Sequence, residues 1–94
     1  MDSKLKKMKL VYVEWMDSYG CSSRWESING LAPQLLVCKS VGWLAHNDEK
    51  CKVLIPHLSA PVGDASAQGC GDMTIPTKAI VRMITLAEPK PRSN

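Results

Sequence analysis

The chain contains no phenylalanine and only two histidines, and none of its four cysteines is spaced as a CxxC pair. Each absence removes something. Without paired cysteines there is no zinc-finger or zinc-ribbon framework, because such sites draw two ligands from one short turn. With histidine only at His46 and His57, few general bases are available to activate a thiol. No apolar run approaches the roughly 18 to 20 residues needed to span a bilayer, so no membrane association is expected. The opening residues, MDSKLKKMKL, lack the apolar stretch and cleavage site of an export signal. The expected location is therefore cytoplasmic, with reduced thiols acting mainly as small hydrophobes.

Charge of one sign is also scarce. The formal net charge is +3, and part of it sits near the ends, in Lys4, Lys6, Lys7, Lys9, Lys78, Lys90 and Arg92. A dedicated nucleic-acid binder concentrates more positive charge on one face, so nucleic acid is not the expected partner. Small anionic ligands remain compatible.

What is present reads as one small globular domain over residues 1–86, followed by a polar, proline-containing tail over 87–94. A chain of 94 residues buries a small core, and association into a homo-oligomer is the natural supplement. Lys7 to Met16 reads as a strand, with Val11, Val13 and Trp15 alternating. Ser23 and Glu26 have capping-box spacing, which predicts a short helix stopped by Gly30 and Pro33. Leu35 to His46 reads as a second strand, with a bulge or bend at Gly42, and Lys50 to Leu58 returns from a polar turn as the third. In that third strand Cys51, Val53 and Ile55 form the apolar face. A long Pro-, Gly- and Ala-rich loop over 59–69 leads to a short strand, MTI, a turn at 76–78 and a last strand over 79–86.

Five short strands with one helix after the first predict a mainly β fold, a strongly bent SH3-like or Sm-like barrel. Apolar residues on both faces of the last strand, Val81 and Met83 against Ile80, Ile84 and Leu86, point to a subunit interface.

The most distinctive stretch is Gln68 to Pro76, QGCGDMTIP. As a nucleophile, Cys70 would need a histidine or a helix N-terminus beside it, and no long helix follows, so catalysis is not expected. Nor does the spacing argue for a metal site or a cofactor. The segment is either a plain turn entering a strand or a ligand-cradling loop. In the second case Gly69 and Gly71 expose backbone amides, while Gln68, Asp72 and Thr74 offer polar groups to a ligand. His57, Trp43 and Trp25 are candidates to complete the walls, the indoles by stacking on a base.

The blocks SVGWL, VLIPHLS, QGCGDMTIP and AIVRMITL, in that order, resemble a family of small proteins encoded by bacteriophages and prophages. The likeness spans roughly residues 10–86 and implies a viral origin acting in the host cytoplasm. By analogy with phage counter-defence proteins, it suggests a non-enzymatic protein that sequesters a nucleotide-derived host immune signal. The alternative is an SH3-like or Sm-like module binding a host protein or single-stranded nucleic acid.

Overall fold

The computed structural model describes residues 8–20, 24–63 and 66–90. Seven strands follow one another: β1 (Leu10–Ser18), β2 (Leu35–Asn47), β3 (Cys51–Ile55), β4 (His57–Ser59), β5 (Gln68–Cys70), β6 (Met73–Pro76) and β7 (Ile80–Thr85). Five build one antiparallel sheet in the order β6-β3-β2-β1-β7, and β4 and β5 form a separate two-stranded ribbon. The protein is mainly β, as its sequence predicts.

Two expectations need correction. The sheet is not a closed barrel, because β6 and β7 are its two edges and do not pair with each other. They are joined by a single 3-10 turn, Thr77–Ala79, which carries the chain from one edge to the other. Among the described residues there is also no α-helix after β1, only a 3-10 turn at Ile28–Gly30 without a side-chain cap. Ser23, which opens the expected capping box, lies outside the described residues. The described remainder, ESINGLAP, holds glycine and proline too close together to sustain a second turn.

Register explains where the core lies. Val11 faces Gly42 and Val13 faces Ser40 on β2, Leu44 faces Leu54 on β3, and Lys52 faces Ile75 on β6. These positions share one side of the sheet, and on it Val11, Val13, Leu54 and Ile75 form the buried cluster. Trp15, expected in the core, packs against its edge together with Leu44, Ala79 and Ile80. Its indole N–H donates to Ser40 Oγ at 3.0 Å. The apolar face expected for β3 is thus the other one: Leu54 is buried, whereas Cys51, Val53 and Ile55 are half-buried on the opposite side.

Gly42 is not where the register slips. The irregularity between β2 and β3 falls between Leu44 and His46. Gly42 serves close approach instead, since an added Cβ would lie 3.2 Å from both the Ile55 carbonyl oxygen and Leu54 Cβ.

The β1–β2 pairing outruns the rest of the sheet. β7 accompanies β1 only from Val11 to Trp15, and β3 accompanies β2 only from Trp43 to Asn47. Met16 to Ser18 with Leu35 to Val37 therefore form a two-stranded arm, and residues 19–34 connect its tip. The molecule measures 64 × 27 × 26 Å with a radius of gyration of 18.2 Å. A compact chain of this length has about 12 Å. Among the described residues no helix is long and apolar enough to cross a membrane.

Candidate functional site

Pro56 ends β3 because it has no N–H to donate to a ladder. The chain then starts a new ribbon in which His57 faces Cys70, Leu58 faces Gly69 and Ser59 faces Gln68. Two glycines let this ribbon lie close to the end of β3. At Gly69 an added Cβ would come within 2.8 Å of Ile55 Cγ2 and 3.1 Å of Ile55 Cδ1. Gly71 has a φ of +79°, the left-handed conformation that favours glycine, and an added Cβ there would sit 3.1 Å from Pro56 Cγ. The turn at Gly71 passes the chain from β5 through Asp72 into β6, where Thr74 faces Val53.

The structure therefore gathers His57, Gln68, Gly69, Cys70 and Gly71 at one exposed corner, with Asp72 next in the chain and Thr74 on the adjoining strand. Of the two histidines, His57 is the one that meets the glycine-flanked cysteine. No hydrogen bond joins His57 to Cys70. Among the described residues, the side chains of His57, Gln68, Cys70, Asp72 and Thr74 have no hydrogen-bond or ion-pair partner within the chain.

The two tryptophans part company. Trp43 shares a register row with Ile55, the residue against which Gly69 packs, but its indole N–H donates to Glu88 Oε1 at 2.9 Å. Trp25 is fully exposed, at 104% of its reference area, in the connection at the far end of β2. Leu35, where that connection ends, is eight residues from Trp43, about 26 Å along the strand. A broad concavity of about 1170 Å³ also belongs to that connection, bordered by Tyr19, Glu26, Leu31 and Gln34, and not to the glycine corner.

A second cluster sits on the β2–β3 turn, where sequence reasoning expected only a wet hairpin. His46 Nε2 lies 2.7 Å from Asp48 Oδ2, while Asp48 Oδ1 accepts the backbone N–H groups of Lys50 and Cys51, both at 2.8 Å. The donated Cys51 amide, then the His46 ring and the Lys50 amide, hold the Asp48 carboxyl down to about 2. The backbone is tied as well: Asp48 N–H donates to the Cys51 carbonyl at 3.1 Å, and Thr77 Oγ1 donates to the Asp48 carbonyl at 2.9 Å. The signal for this cluster was H-x-D-x-x-C. In a strand, residues two apart share a face, and a two-residue turn places Cys51 opposite Asp48.

On the sheet side away from the core, the Arg82 guanidinium donates to Glu14 Oε1 at 2.7 Å, and the Tyr12 hydroxyl donates to the same oxygen at 2.7 Å. Arg82 first, and then Tyr12, hold the Glu14 carboxyl below the usual carboxylate range. This charged row separates two apolar rows, Tyr12 with Val41 and Ile84, and Met16 with Val37.

No protein-family model matches the chain, and neither a curated protein nor a solved structure matches it.

Proposed function

We propose that this is a non-enzymatic protein of bacteriophage origin that works as a homo-oligomer and sequesters a small nucleotide-like ligand at the glycine corner, in the manner of a sponge for a host immune second messenger. The observation that carries the reading is the corner itself. Its two glycines bring the ribbon close against Ile55 and Pro56, and five neighbouring polar side chains have no partner among the described residues. Asp72 and Thr74 suit ribose hydroxyls or a base edge, and the amides at the Gly71 turn suit phosphate oxygens. Binding is favoured over thiol catalysis because the Cys70 and His57 side chains share a row without a hydrogen bond between them. Assembly is supported by large apolar side chains exposed on both sides of a thin sheet, Val37 at 54% and Val41 at 52% on one side and Val81 at 60% on β7.

The test is calorimetric titration and native mass spectrometry with cyclic dinucleotides and cyclic ADP-ribose isomers. Binding that Asp72→Ala and His57→Ala each weaken about tenfold or more is the expected result. A folded protein that binds none of these ligands sinks the reading.

One observation favours the alternative, a module for a host protein or single-stranded nucleic acid. The small antiparallel sheet, whose last strand returns beside the first after a 3-10 turn, leaves β6 and β7 as open edges that a partner segment can join. Its mark would be binding of single-stranded RNA that falls steeply with added salt.

A further inference from the structure

We propose that the β2–β3 turn is a binding site for a borderline divalent transition ion, with zinc as the natural occupant, held by His46, Asp48 and Cys51. The site stands apart from the glycine corner and does not depend on its ligand. One ligand atom from each residue lies within 4.8 Å of the other two. In a tetrahedral zinc site, with metal to ligand distances of about 2.0 to 2.3 Å, neighbouring donors are about 3.4 to 3.6 Å apart. Closing the remaining gap takes small side-chain rotations and leaves the backbone in place.

Three features turn proximity into a site. The first is division of labour within one carboxylate: Asp48 Oδ1 is spent on the amides of Lys50 and Cys51, which fixes the group and leaves Oδ2 aimed at His46. The second is a turn braced from outside, with the Thr77 hydroxyl on the Asp48 carbonyl and the Thr77 N–H on the Lys50 carbonyl at 3.0 Å. The third is that the nearest strand cation is turned away. Lys52 is engaged by Asn47 Oδ1, and both occupy the opposite side of the hairpin from Asp48 and Cys51. An imidazole, a carboxylate and a thiolate are donors that calcium and magnesium do not favour as a set and that zinc or cobalt does. On binding, the ion replaces the hydrogen bond between His46 and Asp48: the imidazole ligates in its neutral form with its proton on the other ring nitrogen, and the thiol proton passes to solvent. His46 and Asp48 are exposed, so the fourth position is open to water.

Cobalt(II) titration of the full chain reads the site directly, because a thiolate ligand gives a sulfur-to-cobalt charge-transfer absorption. The expected result is one cobalt per chain, displaced by one equivalent of zinc. The charge-transfer absorption should be lost in Cys51→Ser and kept in Cys38→Ser and Cys70→Ser. No absorption at stoichiometric cobalt, its survival in Cys51→Ser, or its loss in Cys70→Ser would overturn the proposal. Should Cys51→Ser not fold, His46→Ala and Asp48→Ala alter exposed side chains and should each weaken zinc at least tenfold in a chelator competition. Unchanged affinity in both would equally overturn it.

Discussion

The five-stranded part of the sheet and the β1–β2 arm share the same two strands, yet they meet water differently. Val11 and Val13 lie on β1 between β2 and β7, in one cluster with Leu54 of β3 and Ile75 of β6, and their inward side chains are 1% and 0% exposed. Seven residues further along β2, Leu35 is 66%, Leu36 46% and Val37 54% exposed. Composition barely separates the two stretches, since five of the six residues in LVYVEW and five of the seven in LLVCKSV are apolar. Neighbours do: burial in a single-layer sheet depends on what lies against it, and one chain of this length supplies cover for only one end.

The comparison is broken most severely from the buried end. Ile75 is 0% exposed on the edge strand β6, and with only four buried residues in the cluster there is little to collapse into its space. Ile75→Ala should cost about 2 to 5 kcal/mol in urea unfolding. Leu36→Ala, measured at dilutions where the chain is monomeric, should cost less than about 1 kcal/mol. Equal costs at the two positions would mean that the arm is covered even in the single chain.

From the other end, the sheet side away from the core, from Val41 out to the arm at Val37, is a proposed meeting surface between copies. Val37 and Val41 belong to separate apolar rows on the side away from the core, with the Glu14, Lys39 and Arg82 row between them. A double substitution, Val37→Asp with Val41→Asp, would place unpaired charges in any interface built there. Dissociation constants from light scattering or analytical ultracentrifugation should rise by about 100-fold or more, with the circular dichroism of the chain unchanged. An unaltered assembly would move the interface elsewhere, to the exposed Val81 edge of β7 first.

Much of this division was legible in the sequence and some was not. Alternation in Lys7 to Met16 and the polar break before Cys51 yield the existence of β1 and of the β2–β3 hairpin directly, because local pattern and local pairing agree there. The side of β3 that is buried was not legible. One residue between Leu44 and His46 shifts the register and decides it, and no composition signal marks Ala45. The β4–β5 ribbon was hidden for another reason: its strands are three residues long, and in one of them, QGC, two of the three residues are glycine and cysteine, with no alternation to detect. Of the glycine corner, the pairing of Gln68, Gly69 and Cys70 with Ser59, Leu58 and His57 follows from that ribbon. Trp25 could not be placed from sequence, since a 16-residue connection leaves the direction of a side chain undetermined.

Smaller effects sharpen the border between the two regions. Gly71 turns the ribbon back over Pro56 with a φ of +79°. Gly71→Ala should cost about 1 to 2 kcal/mol, and Gly71→Asn distinctly less, because asparagine tolerates the left-handed region. If the alanine variant is as stable as the parent, the turn is not held in that conformation and the corner is not preformed.

The smallest effect expected concerns acid. Glu14 is held below its ordinary range by Arg82 and Tyr12 in the folded chain. A depressed folded value means that the contribution is complete above the unfolded carboxylate range, near pH 4.5, and is lost as pH falls through the lower folded value. Glu14→Gln should therefore be less stable than the parent to thermal unfolding at pH 7 and should converge with it as pH falls through the lowered Glu14 value. Exposure and salt both limit the size of the gap, so it should narrow further at 0.5 M salt, where the screening length is only a few ångströms. A gap that persists unchanged from pH 7 to pH 3 would show that Glu14 acts through packing in the row between Val41 and Met16.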